Sequence, residues 1–216
     1  HIEIDSGSFR MEEMWNNRLY MPDAEAARRA EAYLEEMMAR KDSCGGVVEC
    51  VIRGMPVGVG EPVFDKLDAC LAKAMLSIGA VKGFEIGDGF EAARSLGSAN
   101  NDGFRMSRES EDQGLLFKDR IVKSSNHAGG TLGGISDGSD IVLRAAFKPT
   151  PSIAQRQHTV TRNGEETDIE IKGRHDPIIV PRAVVVVEAM AALTAADLML
   201  LSMTSRLDRI QEFFGR

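Results

Sequence analysis

The spacing of apolar residues predicts two helices in the first half of the chain. In residues 62–87 apolar positions recur every three or four residues, the spacing of one helical face, and Gly79 follows as a C-cap. The positions on this face are Phe64, Leu67, Leu71, Met75 and Ile78. Residues 22–46 are rich in alanine and glutamate, open with a proline–aspartate pair and end on two glycines, so they predict the other helix.

Extended segments alternate with these helices. Strands are predicted from Val47 onwards, in "VKGFEIGDGF" and in "IVLRAAFKPTPSI", the last running into a proline turn. The stretch "HTVTRNGEETDIEIKG" predicts a hairpin closed by Asn163-Gly164. From Pro181 the chain predicts a long buried helix, followed by the amphipathic "SRLDRIQEFFGR". This mixture of hairpins and long helices favours an α+β fold over a regular βαβ alternation.

Residues 87–140 have the composition of a loop, rich in glycine, serine, asparagine and aspartate. A long loop inside a compact domain is usually functional or disordered. Four glycines within positions 129–134 would let backbone N–H groups approach a flat ring or a phosphate; a mobile surface loop is the alternative. The stretch lacks the Gly-Lys-Ser/Thr ending of a P-loop and the strand–turn–helix of a dinucleotide fingerprint. His127 is either a proton donor or a plain hydrogen-bonding residue, and no metal-ligand spacing surrounds it, so no metal site is predicted.

Composition narrows the function classes. The 216 residues carry a formal net charge of -7, which argues against a general nucleic-acid binder but leaves room for a local anion pocket. The longest apolar stretch, Ala183 to Met203, is interrupted by Glu188 and Asp197, so no membrane span and no membrane partner are predicted. Three cysteines without zinc-ligand spacing favour a reducing, cytoplasmic location. The opening "HIEIDSGSF" is typical of mid-strand, so the chain is expected to be part of a longer protein.

A first candidate site is "KPTPS". Pro149 and Pro151 hold the backbone extended, and Lys148 beside the hydroxyls of Thr150 and Ser152 suits a phosphate or a flavin phosphoribityl chain. An edge strand that ends in a turn explains the same residues equally well.

A second candidate site is "KGRHDP". Arg174 can hold a carboxylate or a phosphate through two parallel hydrogen bonds. Asp176 precedes Pro177, which favours an extended backbone, and its carboxylate could take or relay a proton. The alternative is a solvated Arg-His-Asp turn with a local ion pair of small energetic value.

Four blocks together resemble one known family, that of chorismate synthase. They are "GEPVFDKLDACLAKAMLSIGAVKGFEIGDGF", "GSANND", "SNHAGGTLGGISDGSDIVLRAAFKPTPSI" and "GRHDPIIVPRAVVVVEAM", in the family's order and spacing across nearly all of residues 45–200. The resemblance implies a β-α-β sandwich of antiparallel sheets around helices, formed by a single domain over residues 1–216 that lacks its N-terminal portion. It also implies a cytoplasmic homotetramer.

The resemblance implies an activity as well. The family converts 5-enolpyruvylshikimate 3-phosphate to chorismate, a step of aromatic amino acid biosynthesis. The reaction is a 1,4-elimination of phosphate that requires reduced FMN without net redox change. The alternative is a catalytically inactive flavin-binding or scaffold fragment of that enzyme.

The family's site residues can be placed on this sequence by motif. The implied flavin-contacting positions are Gly79, Ala80, Gly133, Lys148, Pro149, Thr150, Pro151, Ser152 and Arg174. Arg174 is also expected to face the anionic substrate, and Asp176 matches the aspartate implicated in proton removal through flavin N5. The family's Gly-x-Ser-His-Gly motif, second catalytic histidine, phosphate-binding arginines and Arg-Ser-Ser segment do not occur, and Val185 replaces the usual proline of "RAVPVVEAM".

Overall fold

The computed structural model describes residues 2–4, 9–106, 121–173 and 175–215. The chain forms two compact units. Unit 1 comprises His1–Val48 and Ala146–Val185, and unit 2 comprises Glu49–Ala145 and Val186–Arg216.

Unit 1 contains the first predicted helix, α1, at Ala24–Ala39. Asp23 caps it, because its carboxylate accepts hydrogen bonds from the next free backbone N–H groups at 2.8 and 3.0 Å. The helix ends well before the predicted glycine pair, and Lys41 takes the left-handed conformation with a φ of 56°. The opening is irregular at residues 2–4 rather than mid-strand, and residues 5–8 lie outside the described part.

The predicted hairpin of unit 1 is confirmed. Strands β8 (Arg156–Val160) and β9 (Glu166–Glu170) pair antiparallel, and Gly164 in the connecting turn has a φ of 83°. That positive φ is the reason an asparagine–glycine pair predicts a turn.

Unit 2 contains helix α2, Leu67–Leu76, whose residues Leu67, Leu71 and Met75 are fully buried. The predicted helix was too long at both ends. Phe64 lies before α2 and is 85% exposed, and Ile78 lies after its C-cap. A three-to-four spacing can continue by chance past a helix end, so periodicity alone does not fix the boundary.

The remaining strands form one three-stranded sheet and two two-stranded sheets among the described residues. In chain order these strands are β1 (Gly46–Ile52), β2 (Val81–Ile86), β3 (Phe104–Met106), β4 (Ile121–Lys123), β5 (Thr131–Leu132), β6 (Ile135–Ser136) and β7 (Ile141–Phe147). The three-stranded sheet has the order β1-β7-β2, and β7 buries every second residue. The stretch predicted as loop, 87–140, therefore contains β3 to β6, the short helix α3 (Gly97–Asn100) and a 3₁₀ turn at Gly89–Arg94. Residues 107–120 lie outside the described part.

The chain closes with α4 (Val180–Ser202) and α5 (Leu207–Phe213). The expectation that α4 is buried holds for one face only, since large apolar side chains such as Leu193 and Leu200 are more than half exposed. By length and composition alone α4 is long and apolar enough to cross a membrane, and the absence of a membrane span stays a prediction. One such helix is weak support for a membrane, because the core helix of a soluble protein passes the same test.

Candidate functional site

The predicted site residues fall into two groups, one in each unit. Gly79, Ala80 and Gly133 belong to unit 2, whereas residues 148–152 and Asp176 belong to unit 1. Arg174 lies outside the described residues. The predicted site residues of each unit are therefore described separately.

The glycine loop of unit 2, residues 126–138, contains a hairpin with a two-residue turn. Strands β5 and β6 pair antiparallel, and Gly133 and Gly134 connect them with φ values of 58° and 84°. A type I′ turn requires positive φ at both central residues. Backbone geometry alone therefore favours glycine at these two positions.

The glycines of this loop differ in what surrounds them. A Cβ atom on Gly129 or Gly130 would overlap neighbouring backbone, and one on Gly134 would lie 2.6 Å from the Asp68 carboxylate. A Cβ atom on Gly133 would have no heavy atom within 4 Å apart from its chain neighbours. Gly133 is thus the glycine of this turn that faces open space, where a ligand can approach the backbone.

A buried group of charges lies beneath the glycine loop; its members Lys123, Asp102 and Asp137 are here called the anchor. The Lys123 ammonium pairs with the Asp137 carboxylate and lies 3.5 Å from Asp102 Oδ2. All three side chains are only 4% exposed. Buried charges persist only when paired and hydrogen-bonded, and these are both.

Asp102 connects the anchor to the start of the glycine loop. Its Oδ1 accepts hydrogen bonds from Ser125 Oγ at 2.7 Å and His127 N at 2.8 Å, and its Oδ2 accepts one from Ala128 N at 3.0 Å. Burial by itself would raise the pKa of Asp102, but these hydrogen bonds and the Lys123 charge lower the pKa to about 2. The carboxylate therefore stays ionised at neutral pH and holds the loop by its backbone.

Asp137 ties the far end of the loop to the same lysine. Its carboxylate also accepts a hydrogen bond from Ser139 N at 2.9 Å, and its own N–H donates to Gly130 O at 3.1 Å. Burial opposes ionisation, yet the bond from Lys123 leaves the pKa of Asp137 below its ordinary value. One lysine thus holds both ends of the glycine loop.

His127 is held in a hydrogen-bonded pair. Its Nδ1 lies 2.7 Å from Asp88 Oδ2, and its carbonyl accepts a hydrogen bond from Asp88 N at 2.8 Å. The hydrogen-bonding role is therefore present, and proton donation by His127 stays a prediction. Within the described residues no group of three or more histidine, cysteine or carboxylate side chains is placed to hold a metal ion.

The turn after α2 corrects the prediction for Gly79. The C-cap of α2 is Ser77, and the turn that follows is closed by Val81 N donating to Ile78 O at 3.2 Å. Ala80, not Gly79, carries the positive φ of 70°, at the third position of the turn, where type II turns favour glycine. Gly79 is exposed with nothing within 4 Å of a Cβ position, so this turn also presents open backbone.

In unit 1, the segment 148–152 is fixed through its backbone and leaves its polar side chains free. Thr150 O accepts a hydrogen bond from Ser43 Oγ at 2.7 Å, and Pro151 O accepts one from Gln157 Nε2 at 3.2 Å. The side chains of Lys148, Thr150 and Ser152 have no hydrogen-bond or ion-pair partner among the described residues. Three polar groups on a fixed backbone are suited to holding an anion or a polar chain.

The segment that carries Asp176 is irregular and half-buried, and it contains an ion pair. Arg182, in the first turn of α4, contacts the Asp176 carboxylate with both terminal nitrogens, at 2.9 and 3.4 Å. The two side chains are 74% and 32% exposed, respectively. His175 Nε2 donates to Ile171 O at 3.1 Å. The local ion pair foreseen as the alternative is present, but its cation among the described residues is Arg182.

The three free cysteines have thiols that are poor nucleophiles. Burial, with help from Glu188 and Glu49, raises the pKa of Cys50 to about 11. Burial and nearby carboxylates also raise the pKa of Cys44 and Cys70. Because the thiolate is the reactive form, none of the three is activated for covalent chemistry.

Sequence reasoning missed the anchor and Arg182. The only sequence signal for Arg182 was a cation in the first turn of a helix, which needs a nearby anion to offset the helix dipole. Lys123, Asp102 and Asp137 each sit in polar surroundings along the chain, and nothing in the sequence pairs them.

The fold and these turns define an α+β protein with an anchored, glycine-rich loop, and comparison with known proteins gives the family. The sequence matches the family model of chorismate synthase over residues 1–200. It is 57% identical over 215 residues to the chorismate synthase of Agathobacter rectalis, and 55% identical over 201 residues to that of Archaeoglobus fulgidus. These alignments cover 100% and 92% of this chain, respectively.

A crystal structure of a chorismate synthase superimposes with a TM-score of 0.70 at 32% identity, over 94% of this chain and 52% of that one. The chain belongs to the chorismate synthase family. This confirms the predicted family and its α+β fold. The chain spans 56% of the A. rectalis relative and 53% of the A. fulgidus relative. The family match runs through both compact units, and the single domain over residues 1–216 stays a prediction.

Proposed function

We propose that this chain carries the flavin-contacting and proton-removing part of a chorismate synthase, a lyase of aromatic amino acid biosynthesis. The substrate is 5-enolpyruvylshikimate 3-phosphate and the product is chorismate. The observation that carries the proposal is a pair of open backbone turns, at Gly79-Ala80 and at Gly133, in a chain of this family.

The reaction is a 1,4-elimination. The bond from the ring carbon to the phosphate oxygen breaks, phosphate leaves with the electron pair, the ring loses a proton, and a double bond forms. Reduced FMN, when bound, supplies electron density that helps phosphate leave. The residues of this chain have to bind and orient the substrate and the flavin, and to accept the proton that the ring loses.

Unit 2 contributes backbone without obstructing side chains. Gly133 and Gly79 have open space where a Cβ atom would point, so a flat ring can lie against the peptide groups. Ala80 holds a left-handed φ of 70° that a non-glycine residue adopts at a cost of about 1 kcal/mol. Strained backbone of this kind clusters at functional sites, which supports a binding role for the turn.

Unit 1 contributes polar groups. The ammonium of Lys148 and the hydroxyls of Thr150 and Ser152 have no partner among the described residues, on a backbone held by Ser43. These groups suit the phosphoribityl tail of FMN, with Pro149 and Pro151 restricting the backbone between them.

Asp176 is the proposed proton acceptor, and Arg174 the proposed ligand of flavin and anionic substrate. The Asp176 carboxylate is reachable, with 32% of its side chain exposed, and Arg182 orients it. We further propose that the protein acts in the cytoplasm as a homotetramer, with neither nucleic acid nor membrane as partner.

A second candidate is a flavin-binding or scaffold fragment without catalysis. The two candidates share the flavin and differ in turnover.

The test is a titration of the 216-residue chain with FMN, followed by flavin absorbance with and without 5-enolpyruvylshikimate 3-phosphate. Saturable binding, a substrate-dependent spectral change and chorismate formation with reduced FMN would support the enzyme. Binding without turnover would support the fragment. Absence of FMN binding would remove the flavin role from this chain.

Two variants make the titration specific. Gly133→Asn keeps the turn, because asparagine is favoured at the first central position of a type I′ turn, but places a side chain in the open space. We expect the Kd for FMN to rise about tenfold or more, equivalent to about 1.4 kcal/mol. Gly54→Asn is the matched control, since Gly54 also has positive φ and nothing within 4 Å. Equal Kd values for the two variants would exclude Gly133 from the site.

Asp176→Asn tests the proton step. If the chain turns over substrate, kcat should fall by about 10²–10⁴-fold while the Kd for FMN changes little. Near-normal turnover would remove Asp176 from this role.

A further inference from the structure

The anchor has no role in the function proposed so far. Lys123, Asp102 and Asp137 lie beneath the glycine loop with 4% of each side chain exposed, too buried to contact a ligand directly. Such a charge group is expensive to bury, and hydrophobic residues of similar size often fill a core at lower cost. Its contacts show what it does instead.

The contacts of the anchor go to the backbone of the glycine loop. The Asp102 carboxylate accepts hydrogen bonds from the backbone N–H groups of His127 and Ala128, at 2.8 and 3.0 Å, and from the Ser125 hydroxyl. The Asp137 carboxylate pairs with the Lys123 ammonium, and the Asp137 backbone N–H donates to Gly130 O at 3.1 Å. The loop therefore enters and leaves its hairpin from positions set by one buried lysine.

The turn at the open glycine depends on how the hairpin is held on either side. No heavy atom lies within 4 Å of a Cβ position at Gly133. The far strand of the hairpin is held at Ser136, whose Oγ donates to Pro56 O at 2.6 Å and accepts from Val59 N at 2.8 Å. The start of the loop is held by Asp102, through the N–H groups of His127 and Ala128.

We propose that Asp102, held by Lys123, is a positioning residue that sets the glycine loop so that the Gly133 backbone meets the flavin. The inference rests on the proposed function only for the identity of the ligand. Asp102 acts through the loop backbone and does not touch the flavin.

The test compares wild type with Asp102→Asn. Asparagine has the same shape and keeps one oxygen acceptor, but loses the second acceptor and the charge opposite Lys123. Glu91→Gln is the matched control, since it makes the same chemical change in an exposed pair with Arg94 of the same unit. Hydrogen exchange followed by mass spectrometry measures how well the loop amides are protected. An FMN titration measures the affinity of the site for the flavin.

In Asp102→Asn, amides of residues 126–138 should exchange about tenfold faster while those of β7 do not change. The Kd for FMN should rise about tenfold, and the bound-flavin spectrum should shift towards that of free FMN. Glu91→Gln should change neither. Unchanged loop exchange would overturn the proposal, as would faster exchange with a wild-type Kd and spectrum.

The failure of the proposed function would look different. If the wild-type chain binds no FMN, the flavin assignment fails for this chain, and loop exchange alone decides whether Asp102 positions the loop. Lys123→Arg keeps the charge and should restore most of the protection that Lys123→Met loses. Equal loss in both lysine variants would show that packing, not the ion pairs, holds the loop.

Discussion

The glycine loop of unit 2 and the Lys148–Ser152 segment of unit 1 are both predicted to contact the flavin, yet they are held in opposite ways. The loop is held by charged side chains that are 4% exposed, and it presents bare backbone. The segment is held by carbonyls such as Thr150 O, and it presents polar side chains to solvent. In the loop, charge determines structure. In the segment, charge is left available for a ligand. The same charge-removing change should therefore damage stability in unit 2 and binding in unit 1.

The largest expected effect comes from breaking the anchor. Lys123→Met leaves the Asp102 and Asp137 carboxylates buried without their cation, which should cost about 3–5 kcal/mol of unfolding free energy. Urea denaturation measures this. Arg94→Met, in an exposed pair of the same unit, should cost less than about 1 kcal/mol. Equal losses in the two variants would contradict the distinction between buried and exposed charge.

The next effect separates two glycines of one loop. Gly129→Ala forces a side chain into the Gly87 backbone at positive φ and should cost about 2–4 kcal/mol. Gly133→Asn should cost less than about 1 kcal/mol, because its turn accepts asparagine and its surroundings are open. Thermal unfolding of the two variants decides this, and a larger loss for Gly133→Asn would mean that position 133 is packed.

The pH dependence sharpens the comparison further. The pKa of Asp102 is lowered to about 2, so its carboxylate binds fewer protons in the folded chain than in the unfolded chain. The resulting stability is fully present above about pH 4 and is lost as pH falls towards 2. Asp102→Asn should flatten the pH profile of Tm across this window, measured against wild type. A parallel profile would show that Asp102 gains nothing from its hydrogen bonds. Lys123 and the Ser125 hydroxyl face the same carboxylate, and Asp137 shares the lysine, so these three residues are kept unchanged.

The smallest effect belongs to unit 1. Arg182→Gln breaks an ion pair whose arginine is 74% exposed, and should change the unfolding free energy by less than about 1 kcal/mol. Denaturant titration measures it. A loss above about 2 kcal/mol would mean that this turn is held as firmly as the glycine loop.

Local features of the fold could be predicted from the sequence because their causes are local. Asp23 before an alanine-rich segment marks a helix start, and Asn163-Gly164 marks a hairpin. Motifs likewise located the glycine loop and the "KPTPS" segment. Helix boundaries were predicted wrongly where the apolar spacing continued past the end of the helix, as at Phe64. They were also wrong at the turn after α2, where Ala80 has the positive φ that glycine usually adopts.

The anchor could not be predicted for a physical reason. Lys123, Asp102 and Asp137 meet only because the paired strands β3 and β4 and the loop bring distant residues together. Each residue alone resembles a surface charge. Only the tertiary fold shows that all three are buried, and hence that they determine the loop.

The type I′ turn at Gly133-Gly134 has a consequence for reading variation in this chain. Position 133 demands a backbone conformation but no volume, whereas position 129 demands both. In a library of single substitutions scored once for cellular abundance and once for flavin retention, the two scores should separate at 133 and move together at 129. Substitutions at position 133 alone would thus measure the effect on flavin binding with little contribution from folding.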